Sequence, residues 1–487
     1  MTTAPHSTGA AERTAGGTYP RRWQALTLLA VAQFVVILDA SIVNIALPAI
    51  GRGLGMQPSG LSWVIDAYLL TFGGLLLLGG RAADLFGRRA VFLAGLLAFS
   101  AASLADGLAP DGTALIAFRA IQGVAAAAMS PAALSIVTTM FGPGPDRARA
   151  LGVWGAVAGS GSAAGVLLGG VLTSAFGWPA IFFINVPVGI VAAALTPRLI
   201  PAIRPAAGIT RRIDIPGAIL VTAGMAAIVY GLISGAGAGW TAARTLVALP
   251  AGVLLLAVFV LVERRSRYPL MPLRIFRLRT VSSANAVMIL TGAAVVSLFF
   301  FLSLYMQQVL GYTPLVAGLT QLPLAITLIG AAGAAPALIG VIGRRGTLAV
   351  GLVVLAGGLG WLSLLPVAGT FTGAILGPSL LVGVGLGLAF VPVNAIAVAG
   401  VGDRDMGLAS GVINTTQQVG GALGLAIASA LATARTTPLL VHAASATDRV
   451  AALASGYQAG LVASAAFAAV AALVTVLAVP HDRKQDG

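Results

Sequence analysis

The sequence predicts an all-α polytopic membrane protein with fourteen transmembrane helices. They form two similar halves of six, with two further helices inserted between them. Three observations lead there. Hydrophobic types make up 58% of the 487 residues and charged types only 9%, where a soluble domain carries about 25% charged residues. The apolar residues run continuously over helix-spanning lengths, without the alternation of a transmembrane barrel. Finally, parts of the first half recur in the second. A shift of 259 brings Gly152, Gly161 and Gly165 onto Gly411, Gly420 and Gly424, and a shift of 256 brings Gly87-Arg88-Arg89 onto Gly343-Arg344-Arg345. Eight helices with their loops produce about that offset, the mark of an internal repeat.

The first 22 residues are polar and end on Arg21 and Arg22. The apolar run that follows is too long for the core of a secretory signal, so it reads as a retained first helix. The predicted spans are the apolar runs between charged loops: 24–47, 62–79, 90–108, 113–140, 150–173, 179–199, 216–234, 245–262, 281–309, 315–342, 347–366, 371–398, 407–433 and 456–479. The chain then divides into a tail (1–22), a six-helix bundle (23–200), two inserted helices with basic flanking loops (201–280), a second bundle (281–479) and a tail (480–487).

The loops carry the charge. Of 28 basic residues, 23 fall on the side of the N-terminus, only Arg52, Arg244, Arg435 and Arg449 fall opposite, and Arg119 lies within a span. That asymmetry puts both termini in the cytoplasm, and it reads the net charge of +14 as orientation in a bilayer, with no nucleic-acid partner. There is no cysteine and a single lysine, Lys484, in the last four residues. Disulfides, thiolate catalysis, a phosphate-binding P-loop and a Schiff-base lysine are thereby excluded. His6, His442 and His481 lie outside the spans, which leaves no histidine metal site in the membrane. Abundant Arg, Ala and Gly beside almost no Lys fit a bacterial, GC-rich source.

A charge inside a bilayer costs several kcal/mol unless paired or solvated. Asp39, Asp66 and Arg119 sit well inside predicted spans, at similar depths toward the outer side. Two acids and one permanent cation at one depth make a candidate proton site; a static ion pair that fixes packing is the competing reading. The segment GRAADLFGRR (80–89) reads as a loop after span two, with Gly80 and Gly87 allowing a tight turn and Asp84, Arg88 and Arg89 forming a gating charge network; a plain positive-inside loop is the alternative. GSAAGVLLGG (161–170) offers Gly161, Gly165, Gly169 and Gly170 for close helix approach. Gln33, Asn44, Gln122, Gln307, Asn414 and Gln418 are neutral polar groups at membrane depth, either glue between helices or the lining of a cavity. Phe299, Phe300 and Phe301 read as core or lipid contacts.

Taken together these stretches resemble the major facilitator superfamily, in its fourteen-helix drug:proton antiporter branch (the EmrB/QacA type). LDASIVNIALP (38–48) is similar to that branch's first-helix motif, whose acid maps to Asp39. GRAADLFGRR is similar to the superfamily loop motif, and LIAFRAIQGVAAA (115–127) to the proton-relay motif, whose Arg and Gln-Gly map to Arg119, Gln122 and Gly123. WVIDAYLL (63–70), FFINVPVG (182–189), LYMQQVLGYTPLVAGL (304–319) and GLASGVINTTQQVGGALG (407–424) are also typical. One departure is visible: the antiporter motif of span five carries Pro after its central Gly, and here Val166 follows Gly165. The resemblance implies a cleft between two six-helix bundles, alternating access, and export of lipophilic, often cationic compounds against proton influx. It further implies no cofactor beyond the proton gradient, a monomer in the bacterial cytoplasmic membrane, and no enzymatic activity. A specific transporter of some other small metabolite on the same fold, or a non-transporting sensor, are the alternatives.

Overall fold

The computed structural model describes residues 21–56, 58–142, 144–201, 214–266, 269, 271, 273–402 and 406–480. The two tails, most of the loop before the seventh span, and Arg13, Arg204, Arg211, Arg212, Arg267, Arg404, Arg483, Lys484, His6 and His481 lie outside the described residues.

Hydrocarbon offers no partner to a backbone N–H or C=O, so an apolar chain must close its hydrogen bonds within helices. The described residues do so in fourteen crossings. They are α1 (Arg22–Gly53), α2 (Pro58–Phe86), α3 (Arg88–Gly107), α4 (Gly112–Met140), α5 (Pro145–Phe176) and α6 (Ala180–Leu199). Next come α7 (Ile215–Ala238), α8 (Ala243–Arg265) and α9 (Arg279–Val309). The helical stretch Pro314–Leu362 is broken at Gly343 (φ 75°), which separates α10 (314–342) from α11 (344–362). Then follow α12 (Phe371–Ala397), α13 (Met406–Val441) and α14 (Ala446–Ala478). Several starts are capped as their sequences suggest: Asp111 accepts from Ala114 N at 2.8 Å, and Ser445 with Asp448 forms a capping box. The face that carries the start of α1 and the end of α14 is called here the terminal face, and its opposite the far face.

Pairs of helices repeat between the halves. α1 packs on α5 as α9 packs on α13, α2 on α4 as α10 on α12, and α3 on α4 as α11 on α12. The glycines that align in sequence explain it. Gly161 stands over Ile37 as Gly420 stands over Ile289, and Gly165 over Ser41 as Gly424 stands over Ala293, both partners 252 residues further along. Gly152 and Gly411 do not correspond in this way: nothing lies near Gly152, while Gly411 faces Leu77. Across the halves, α2 meets α13 and α10 meets α5, again a symmetric pair of contacts. Of the inserted helices, α7 leans on both α2 and α13 and carries α8, whose Leu246, Val247, Val253 and Leu254 are exposed apolar side chains suited to lipid.

The segment 80–89 is not the loop that its composition suggested. α2 continues through Phe86, and only Gly87, at φ 97°, is the turn. Arg81 and Asp84 are polar enough to end an apolar window, yet Ala82, Ala83 and Leu85 around them and Arg81 itself are good helix formers, so the helix outlasts its hydrophobic stretch. Gly343 repeats the device in the second half at φ 75°. A side chain other than Gly costs about 1–2 kcal/mol in this left-handed region.

Candidate functional site

The first half holds a buried polar cluster among α1, α3, α4 and α6. At its centre Arg119 Nη1 donates to Asp39 Oδ2 at 2.6 Å, with both side chains almost wholly removed from solvent. Arg119 Nε donates to Val64 O at 3.1 Å, and Nη1 also donates to Gln122 Oε1. The guanidinium lies over the Tyr68 ring at 4.4 Å and the Phe182 ring at 5.7 Å, contacts worth about 2 kcal/mol when desolvated. The other oxygen of Asp39 is also occupied. Oδ1 accepts from Gln122 Nε2 at 3.0 Å and from Asn185 Nδ2 at 2.8 Å. Behind these amides stands Ser103 on α3, which accepts from Gln122 at 3.2 Å and Asn185 at 2.9 Å and donates to Phe182 O at 2.9 Å.

Local sequence builds each of these positions. Gly123 lets α4 approach α2 so closely that a Cβ there would lie 2.5 Å from Tyr68 O, which brings Arg119 within reach of Val64 O. α6 is interrupted at Ile184, since Pro187 has no N–H to donate back to Phe183. Asn185 follows at once, with its amide in the cluster. Asp39 and Arg119 are thus enclosed by a cage of neutral polar groups, Gln122, Asn185 and Ser103. α1 continues to Gly53, so Asp39 lies about 21 Å from its far end, deeper than the apolar window implied; the long Arg119 side chain spans the difference.

Asp66 is fully buried, but among the described residues no group hydrogen-bonds either of its oxygens. It lies seven residues before Gly73, and so on the α2 face that meets Gln418 of α13. The three charged residues expected at one site are therefore a pair, Asp39 with Arg119, and a separate acid between the halves. A fourth, Asp106, went unread because it falls two residues from the end of its span; it is fully buried, and among the described residues no group hydrogen-bonds either of its oxygens. Ser103 and Asn185 were missed as well, although an Asn in the apolar run FFINVPVG was a visible signal.

The neutral polar residues separate into roles. Gln122 is wholly buried and belongs to the Asp39 cluster, not to a cavity wall. Gln307 donates to Ile45 O at 2.8 Å, and Ser303 donates to Asn44 O at 2.6 Å, joining α9 to α1 on the far face. Asn44 bonds back along its own helix at 3.3 Å. Gln307 is thus glue between the halves, whereas the Asn44 side chain stays on its own helix and only its backbone carbonyl takes part. Gln33 is half-buried and accepts from Ser130 at 2.9 Å. Gln418 is half-buried, and Asn414 is exposed on the same α13 face as Gly411 and Gln418. Phe300 and Phe301 are core residues.

The glycine-rich segment of α5 serves packing. Gly161, Gly165 and Gly169 fit against Ile37, Leu38 O and Ile42 O of α1, while Gly170 lies against Pro314 of α10 in the other half. Val166 leaves α5 helical through this stretch, and its carbonyl lies against Gly318. Leu315 N donates to Ser174 Oγ at 3.1 Å on the same far face. Gly80 tolerates its neighbour Pro131 at ordinary contact distance. Asp84 pairs with Arg88 at 3.4 Å; Arg88 also reaches Ser135 O at 3.3 Å and Thr139, and Arg89 reaches Ile200 O at 3.1 Å. These bonds brace the terminal face of the first half. Among the described residues no cluster of His, Asp and Glu could hold a metal ion.

Residues 29–425 match the family described as Major Facilitator Superfamily. The cephamycin export protein CmcT of Amycolatopsis lactamdurans is 43% identical over 405 residues, which cover 83% of each chain. The puromycin resistance protein pur8 of Streptomyces alboniger is 41% identical over 427 residues, covering 87% of this chain and 84% of that one. A solved bacterial homologue of the human lysosomal transporter Spinster, inward-facing and unoccupied, shares the fold. It does so with a TM-score of 0.71 at 16% identity, over 95% of this chain and 98% of that one.

Proposed function

The chain belongs to the major facilitator superfamily, and from that premise we propose that it exports antibiotic-like lipophilic compounds across the cytoplasmic membrane in exchange for protons. The observation that carries the reading is the buried Asp39–Arg119 pair at 2.6 Å, held inside an otherwise apolar half. An ion pair stripped of water is costly to keep and more costly to break, so it suits a group that must change its charge during a cycle. Protonation of Asp39 releases Arg119, and the freed cation must find another partner or move. Either response alters the packing of α1 on α4 and α6, and α1 is the helix that Ser303 and Gln307 tie to the second half.

The basic loops assign the terminal face to the cytoplasm, with both termini there. The far face is joined by the Ser303, Gln307 and Leu315 bonds, so this conformation receives substrate from the cytoplasmic side. Gln33, Asn414 and Gln418 are the polar groups best placed to meet it between the halves. Residues 23–200 and 281–479 serve as the two moving bodies. The chain acts as a monomer and needs no cofactor. Relatives named for cephamycin and puromycin make these the first compounds to try. Purified protein in proteoliposomes with an acidic lumen should accumulate one or more of them in a manner abolished by collapsing the pH gradient. Accumulation that ignores the gradient, in protein shown to be folded, would overturn proton coupling. Retention of only one narrow metabolite class would replace the broad exporter by a specific transporter.

A further inference from the structure

The Asp39–Arg119 pair is neutral as a unit, yet a third charge-bearing group stands beside it. Asp106 lies one helical turn beyond Ser103 on α3, and Ser103 belongs to the cluster. Asp106 is buried, and neither of its oxygens accepts a hydrogen bond from the protein. Ser103 bonds Gln122 and Asn185, the two amides that donate to Asp39, and Gln122 in turn accepts from Arg119. Of the elements packed against α3, α4 supplies Arg119 and, at its exposed N-cap, Asp111, α2 supplies Tyr68 and Asp66, and α6 supplies only neutral side chains near this end. Asp84, Arg88, Arg89 and Arg198 sit a helix length away on the terminal face. One ion-paired guanidinium thus sits in a cluster that Ser103 links to a second buried carboxylate. Two ionised acids would leave one net negative charge in an apolar bundle, with the bare one unsolvated.

Resting on the proton-exchange reading above, we propose that Asp106 holds a proton in this conformation and passes it to Asp39, with Arg119 changing partners as it does so. The step is balanced. The O–H bond of the Asp106 carboxyl breaks, the proton bonds to an Asp39 oxygen, and Arg119 leaves the now neutral Asp39 for the new Asp106 carboxylate. The sum of the three charges is zero before and after, so no stage strands an ion in the apolar interior. Position gives the direction. Asp106 is one residue from the far-face end of α3 and two from exposed Leu108, so it lies between the far face and the deeper Asp39. Protons arriving from the outer side meet Asp106 first.

The test reads the protonated carboxyl directly, by the infrared C=O stretch of purified protein in lipid, alongside proton–puromycin exchange. Asp106→Asn should lose one protonated-carboxyl band, keep puromycin binding, and slow exchange about 100-fold or more, the scale of a lost general acid–base group. Asp39→Asn should lose the same band, because Arg119 then draws Asp106 into its charged form. A structural role for Asp106 would not make its protonation depend on Asp39. Asp106→Glu should keep exchange and shift the band in frequency, so that if the Asn variant fails to fold the shift still assigns the band to this position. Asp66→Asn, which removes the other bare acid, should leave this band in place. A band unchanged in Asp106→Asn, or a band lost in Asp106→Asn but kept in Asp39→Asn, overturns the proposal. Absence of exchange in the wild type would overturn the exporter reading instead, while the infrared dependence of Asp106 on Asp39 still decides where the proton sits.

Discussion

Replacing Arg119 by Met tests how much the buried pair contributes. The guanidinium makes three hydrogen bonds, to Asp39, Gln122 and Val64 O, and lies on Tyr68. Met fills a similar volume but leaves Asp39 with two neutral amide donors, at 2.8 and 3.0 Å. Removing one partner of a buried pair costs about 3–5 kcal/mol, and the loss of the ring contact adds up to about 2 kcal/mol. The amide donors on Asp39 offset part of this, about 1 kcal/mol each. The net expectation is about 3–5 kcal/mol at neutral pH. The double variant Arg119→Met/Asp39→Asn should recover most of it, because a neutral amide fits the same donors without a stranded charge. Chemical unfolding in detergent of the wild type, both single variants and the double variant closes the cycle. A coupling energy of at least about 2 kcal/mol is expected for groups in direct contact. A single-variant loss under about 1 kcal/mol with no recovery in the double would refute the buried, dry pair, since that is the scale of a solvated one.

Other outcomes follow from the same geometry. Gly123→Val forces a branched side chain against Tyr68 O and should cost more than the usual 1–3 kcal/mol of overpacking, read as loss of folded protein on size exclusion. Gln307→Leu removes the bond to Ile45 O, about 1 kcal/mol, and should raise the population open at the far face about fivefold; the cysteine-free background allows spin-label pairs across that face to measure it. Gly343→Ala should lose about 1–2 kcal/mol through its positive φ, whereas Gly340→Ala, within a helix and in open space, should gain up to about 1 kcal/mol in the same unfolding assay. Asp66→Leu should leave stability equal or higher, because no protein group hydrogen-bonds that acid, while transport falls.

How much of this was legible beforehand follows from what hydropathy and charge can mark. Asp39, Asp66 and Arg119 stood out because charges in apolar runs are costly, but their apparent common depth did not tell which acid pairs with Arg119. The aligned glycines announced the repeat because close helix approach at Gly161 and Gly420 admits no side chain. Helix ends were less visible: α2 outruns its apolar window through Arg81 and Asp84, and α13 runs on to Val441, since helix-compatible polar residues are solvated at the membrane boundary. For the same reason Asp106, two residues from the end of its apolar run, drew no reading although it is buried. Gln122, Ser103 and Asn185 are neutral, and nothing in a linear pattern tells an amide that cages a carboxylate from one that faces a cavity. Only the packing of α3, α4 and α6 around Asp39 decides that.

The most direct test of the central claim is proton release on substrate addition. Inside-out vesicles bearing the protein, with an acidified lumen and a pH-sensitive dye, should lose protons when puromycin or cephamycin is added. Asp39→Asn, folded and inserted to the same level, should abolish the release. Release that survives Asp39→Asn would contradict the assignment of coupling to the Asp39–Arg119 pair.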